Sequence, residues 1–139
     1  MRIAIIGQQD FGKAVLDAFL ARCDKVVGVF CAPEKEGAKS NPLNVAAQEK
    51  SLKLFQFPSL KSSEAHEALL GLNADLGIMA YVLQFAPQDF VTIPKKGAIQ
   101  YHPSLLPKHR GPSSINWPII NVRHRICERN GLERRRPAR

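Results

Sequence analysis

Long apolar runs, paired cysteines and metal-ligand clusters are what this 139-residue sequence lacks. No stretch approaches the roughly 20 consecutive apolar residues of a membrane-spanning helix, so no membrane partner is expected. The N-terminal run MRIAIIG is too short for the apolar core of a signal peptide, and no small-residue cleavage site follows it. The three cysteines, Cys23, Cys31 and Cys127, are odd in number and form no CxxC pair. That excludes a disulfide framework and points to a reducing, cytoplasmic setting. His66, His109 and His124 have no carboxylate or cysteine at a ligand spacing, which argues against a metal site. No Gly-x-Ser-x-Gly elbow occurs, and no cysteine has a histidine arranged for a thiolate mechanism. Gly7-x4-Gly12-Lys13 approaches a phosphate-binding loop, but Ala14 stands where a magnesium-binding Ser or Thr is required. The dinucleotide fingerprint GxGxxG fails at Gln9. Both glycines are read as giving a tight turn between a strand and a helix, and a plain nucleotide binder is disfavoured.

What is present is an ordinary globular composition, 45% apolar and 23% charged, of a length suited to one domain. The net charge of +8 is unevenly placed. Residues 1–121 hold thirteen Lys and Arg against ten Asp and Glu, whereas residues 122–139 hold seven Arg against two Glu and contain no Lys. The body is nearly neutral, and the basicity belongs to a tail of different composition. The expected division is a domain over 1–121 and an Arg-rich, disordered tail over 122–139.

Along the body, apolar runs alternate with helical patterns. Strands are predicted at Arg2–Ile6, Lys25–Phe30, Leu54–Phe57, Asp75–Ala80 and Gly97–His102. Helices are predicted at Phe11–Arg22 with Asp10 as its cap, near Asn44–Lys50, and from Ser62 or Ser63 to about Leu72. Shorter ones are predicted at Pro87–Val91 and Ser113–Ile120, with Trp117 turned into the core. Such alternation predicts an α/β fold, an open doubly wound (Rossmann-like), mostly parallel sheet with helices on both faces.

His102 falls at the carboxyl end of the fifth predicted strand, the edge where such sheets bind ligands. Gln100 lies two residues back on the same strand face. A histidine exchanges protons near neutral pH, and an amide N–H can stabilise charge developing on a carbonyl oxygen. The pair suggests chemistry at a carbonyl carbon; a hydrogen-bonded structural histidine is the alternative. Lys108, His109 and Arg110 are read as a solvated loop.

The run Gln100-Tyr101-His102-Pro103-Ser104-Leu105-Leu106-Pro107-Lys108-His109-Arg110-Gly111 resembles the signature Asn-x-His-x-Ser-Leu-Leu-Pro of the folate-dependent formyltransferases. That family includes glycinamide ribonucleotide and methionyl-tRNA formyltransferases and the N-terminal hydrolase domain of 10-formyltetrahydrofolate dehydrogenase, to which the chain is most similar. The resemblance extends through Ile5–Gln8, Val26–Phe30, Asn41–Leu43 and Gln84–Pro87 and covers residues 1–121. It implies 10-formyltetrahydrofolate as formyl donor, and an amine, an aminoacyl-tRNA or water as acceptor. It implies His102 as the catalytic acid/base and Gln100 as the formyl-oxygen donor. Gln100 stands where the transferases carry asparagine. The loop Tyr81-Val82-Leu83-Gln84-Phe85 would hold the pterin ring, and Gln8 would stand near the substrate entrance. The family continues with further strands and a catalytic aspartate, which would fall near Pro137 or Ala138; no Asp occurs after Asp89. The expectation is therefore a sheet incomplete at its C-terminal end, with residues 122–139 a frame-shifted, mis-spliced or mis-predicted end. Activity would be impaired, and further C-terminal domains would be missing. The alternative is a non-catalytic folate-binding fragment, or a weak nucleic-acid binder acting through the tail by salt-sensitive phosphate contacts.

Overall fold

The run Ile3-Ala4-Ile5-Ile6 has no polar side chain, and a strand of that kind is stable only with both faces covered. It forms the centre of the sheet. In the computed structural model, which describes residues 1–34, 37, 39–104, 106–108, 111 and 114–120, β1 (Arg2–Gly7) lies between β2 (Lys25–Cys31) and β4 (Leu76–Ala80). Outside them lie β3 (Leu54–Gln56) and β5 (Ala98–Gln100), giving the order β3-β2-β1-β4-β5 with every pairing parallel. This is the doubly wound α/β architecture. Residues Met1–Tyr101 make one unit and the residues from His102 onward another.

Side chains of β1 alternate between two cores, as strand periodicity requires. Ile3 and Ile5 join Leu16, Val29 and Leu43 beneath α1 (Gln9–Ala21) and α2 (Pro42–Glu49). Ala4 and Ile6 join Phe30, Leu69 and Phe90 on the other face, beneath α3 (Ser63–Gly71) and α4 (Gln88–Val91). The chain winds outward from β1 through β2 to β3, then crosses back past β1 to β4 and β5. The winding direction therefore reverses between β1 and β4, and their carboxyl ends open a crevice. Gly7 is required there, because a Cβ would overlap the Ala80 carbonyl oxygen of the neighbouring strand end. Gly12 lets α1 approach Leu43 on α2. Both glycines thus serve close packing.

Several boundaries differ from expectation, each for a physical reason. Asp10 is not the cap of α1; Gln8 holds that position without a side-chain bond, and Asp10 lies in the first turn. The Gln9 N–H is taken instead by Asn41 Oδ1 at 2.8 Å, an acceptor 32 residues away in sequence. Asn41 also caps α2 through the Leu43 N–H, and Pro42 occupies the first turn, so this helix begins two residues before Asn44. Ser62 caps α3 through the Ala65 N–H, as its position predicts. Strand β5 is shorter than expected at both ends, although the Tyr101 N–H still reaches the Met79 carbonyl.

In the second unit, α5 spans Asn116–Ile120. Trp117 therefore stands in a first turn and is 52% exposed, contrary to its expected place in the core. Ser113, Leu105, His109, Arg110 and the tail over 122–139 lie outside the described residues. No helix among the described residues is long and apolar enough to cross a membrane.

Candidate functional site

An open cleft of about 180 Å³ lies at the carboxyl ends of β1 and β2. Its walls are Ile6, Gly7 and Gln8 from the end of β1, Phe30, Cys31 and Ala32 from the end of β2, and Val82, Leu83 and Gln84 after β4. Of the residues singled out from sequence, Gln8, Val82, Leu83 and Gln84 come together here. Tyr81 and Phe85 are not among the lining residues; both side chains are exposed on the same loop.

The backbone at the two strand ends is strained in the same way. Gln9 follows β1 at φ +60° and Tyr81 follows β4 at φ +59°, a region that non-glycine residues seldom occupy. Such conformations cost of order 1–3 kcal/mol each and persist where surrounding contacts over-determine them. At Tyr81 the loop is held from beyond: Gln84 Nε2 donates to the carbonyls of Phe57 at 2.7 Å and Pro58 at 2.9 Å. The amide of Gln84 thus ties the loop to the segment after β3 while its side chain still borders the cleft. The Lys61 ammonium lies 4.9 Å from the centre of the exposed Phe85 ring, a cation–π contact at the outer end of the loop.

Behind the cleft a polar network, buried at Cys31, Asn41 and Asn44 and exposed at Glu34 and Gln9, joins the loops after β1 and β2. The Cys31 thiol donates to Asn44 Oδ1 at 2.7 Å, and Asn44 Nδ2 donates to Glu34 Oε1 at 2.8 Å. The same carboxylate oxygen accepts from the Asn41 N–H, and Asn41 Oδ1 accepts from Gln9. Burial, with the Glu34 charge adding to it, pushes the Cys31 thiol up to about 11. Cys31 is therefore a neutral thiol at physiological pH and a poor nucleophile.

Gln100 ends β5, paired with Met79, and its side chain is exposed. The next residue, Tyr101, packs its ring against Phe11 of α1 with centroids 5.1 Å apart. His102 belongs to the second unit. Its Nδ1 is 2.9 Å from Ser104 Oγ, and that buried hydroxyl donates to the Lys108 carbonyl, also at 2.9 Å. His66 gains a partner that sequence spacing did not reveal: Asp89, at the start of α4, lies 3.2 Å from its Nε2. Among the described residues no group of three or more His, Cys, Asp or Glu could hold a metal.

Sequence reasoning missed Phe30, Cys31 and Ala32 in the cleft, although the end of a strand beside β1 was a usable signal. It also missed Asn41 as the residue linking two loops. That role depends on a contact across 32 positions, for which the local sequence carries no sign.

The profile of the family described as formyl transferase matches residues 1–125. Over 125 residues the chain is 43% identical to mitochondrial 10-formyltetrahydrofolate dehydrogenase of Mus musculus, a match covering 86% of this chain and 13% of that protein. It is 33% identical over 126 residues to methionyl-tRNA formyltransferase of Citrifermentans bemidjiense, covering 87% of this chain and 40% of the other. Among solved structures, phosphoribosylglycinamide formyltransferase from Bacillus halodurans superposes with a TM-score of 0.69 at 16% identity. That match covers 87% of this chain and 66% of that one, and supports the fold.

Proposed function

The chain belongs to the formyl transferase family, and on that premise we propose that it acts in one-carbon metabolism, moving a formyl group from 10-formyltetrahydrofolate to a nucleophile. The observation that carries this reading is the cleft at the reversal point of the sheet, with Val82, Leu83 and Gln84 of the loop after β4 as one wall. Val82 and Leu83 offer apolar walls, and the backbone of the loop, held by Gln84, offers fixed hydrogen-bonding groups to a pterin. Gln8 stands at the mouth of the same cleft. Tyr81 and Phe85 would extend the contact along the more exposed part of the ligand.

In the proposed reaction the nucleophile attacks the formyl carbon while His102 takes its proton. Negative charge develops on the formyl oxygen, and the Gln100 amide donates a hydrogen bond to it. His102 then returns the proton to N10 as the carbon–nitrogen bond breaks. The products are tetrahydrofolate and either a formylated amine or, with water as nucleophile, formate. The acceptor is an amine, an aminoacyl-tRNA or water. The chain spans 13% of the length of the dehydrogenase it matches, so the acceptor site is assigned to no residue of this chain. With no aspartate after Asp89, the expected rate of this chain is low. A cytoplasmic location agrees with the unpaired, buried Cys31.

The test is equilibrium binding of 10-formyltetrahydrofolate to the purified chain at low and at several-fold higher salt, with deformylation followed in parallel. Binding that persists in salt, with deformylation reduced about 10²–10⁴-fold in His102→Ala, is the expected result. Absence of folate binding would overturn the proposal. Salt-sensitive binding of nucleic acid without folate binding would transfer the function to the Arg-rich tail.

A further inference from the structure

The turn that carries Gln8 into the cleft is bent against backbone preference, since Gln9 sits at φ +60°, where non-glycine residues are seldom found. Such a turn keeps its shape only where surrounding contacts over-determine it. The peptide unit joining Gln8 to Gln9 is held at both of its polar ends. Its carbonyl accepts the Gly12 N–H at 3.1 Å, the first bond of α1. Its N–H donates to Asn41 Oδ1 at 2.8 Å. The first bond comes with the helix, whereas the second is supplied by a residue 32 positions away. We infer that Asn41 is a positioning residue for the ligand of the cleft: its side-chain oxygen fixes the Gln8–Gln9 peptide and thereby holds Gln8 as part of the wall. This assignment rests on the reading of the cleft as a folate site.

The surroundings of Asn41 fit that role. Its Oδ1 also accepts the Leu43 N–H at 3.1 Å, so one atom takes a donor from the start of each of two helices, α1 and α2. Its own N–H donates to Glu34 Oε1 at 2.8 Å, which fixes the residue from the loop after β2. Asn41 is buried, so water does not readily replace its oxygen. Both partners of Oδ1 are N–H donors, and the chemistry required is therefore an acceptor two bonds beyond Cβ. Aspartate supplies one. The serine oxygen lies one bond nearer the main chain; it can cap α2, as Ser62 caps α3, but falls short of Gln9.

The experiment is equilibrium binding of 10-formyltetrahydrofolate to the full chain as wild type, Asn41→Ser, Asn41→Asp, Gln8→Ala, and Asn41→Ser combined with Gln8→Ala. Thermal melts establish that each variant folds. Gln8 makes no side-chain cap bond, so its truncation leaves the bonds at the start of α1 in place. Asn41→Ser should weaken binding roughly three- to tenfold, the equivalent of one net hydrogen bond, because fewer molecules hold the binding-competent turn. Asn41→Asp should restore the wild-type affinity. In the Gln8→Ala background Asn41→Ser should add little, since both changes remove the same contact. A cap that only stabilises α2 would give losses that multiply. Hydrogen exchange read by NMR adds a measurement on the wild type alone. The Gln9 amide should be protected there, although the first N–H groups of a helix have no partner within it.

An unprotected Gln9 amide in the wild type would overturn the inference, even if Asn41→Ser failed to fold. So would a folded Asn41→Ser chain with unaltered binding, an Asn41→Asp chain as weak as Asn41→Ser, or losses that multiply with Gln8→Ala. Each of these leaves the folate reading standing. A wild-type chain that protects Gln9 but binds no 10-formyltetrahydrofolate would overturn the folate reading itself, and the ligand role of Asn41 with it.

Discussion

Cys31 illustrates how one residue can border a cleft without taking part in its chemistry. Its thiol is buried, is a hydrogen-bond donor to Asn44, and is pushed up to about 11 by burial and by Glu34. Only the thiolate attacks electrophiles, and at neutral pH almost none is present. Cys23, in contrast, is exposed. Brief treatment of the native chain with iodoacetamide at mildly alkaline pH should alkylate Cys23 and leave Cys31 unmodified, as read by peptide mass spectrometry. Unfolding in urea should bring Cys31 to the rate of Cys23. Equal labelling in the native state would mean that the Cys31–Asn44–Glu34 network opens readily.

Among the elements, α3 and α4 are joined by His66. Its Nδ1 faces the Ser62 carbonyl at 2.8 Å, its Nε2 faces Asp89, and its ring stands edge-on to Phe90. The Ser62 carbonyl pushes the His66 pKa above its ordinary value; partial burial pulls it back, and Asp89 adds to the rise. A histidine bound more tightly when charged stabilises the fold while the unfolded ring is also protonated. That contribution is complete below about pH 6.5 and is lost as pH rises through the higher folded value. The melting temperature of His66→Gln should therefore fall furthest below wild type near about pH 5.5 and approach it by about pH 9. A difference independent of pH would assign His66 a packing role alone. Because α4 follows the 81–85 loop by only two residues, the same contact bears on how that loop is anchored at its far end.

For the whole sheet, two separate cores share one set of strands. Leu16 of α1 is wholly buried in one core, and Leu69 of α3 is wholly buried in the other, on the opposite face. Deleting either side chain leaves a cavity as well as losing its transfer free energy, at about 2–5 kcal/mol for a leucine truncated to alanine. Leu16→Ala and Leu69→Ala should each lower the urea midpoint by a corresponding amount. Both losses should appear in a single transition, because β1 contributes alternate residues to both cores. A variant that melts one face while the other persists would show the two layers to be independent.

The order of strands and helices was legible because each is a local pattern. Apolar β-branched runs cannot remain exposed, Ser62 caps the helix that begins beside it, and alternation of the two periods leaves a doubly wound sheet as the simplest arrangement. The Gln100–Gly111 run marked the family for a similar reason, since its residues are contiguous. Tertiary structure alone decided what depends on distant partners. Asn41 displaced Asp10 as the acceptor at the start of α1, Asp89 found His66 across 23 positions, and Gln84 turned its amide to the carbonyls after β3. A backbone donor or a side-chain amide is satisfied by whichever acceptor the fold brings within about 3 Å, and that choice is made in space rather than along the chain. Sequence thus determined which elements form and which family they compose. Packing determined which polar groups meet, and with them the shape of the cleft.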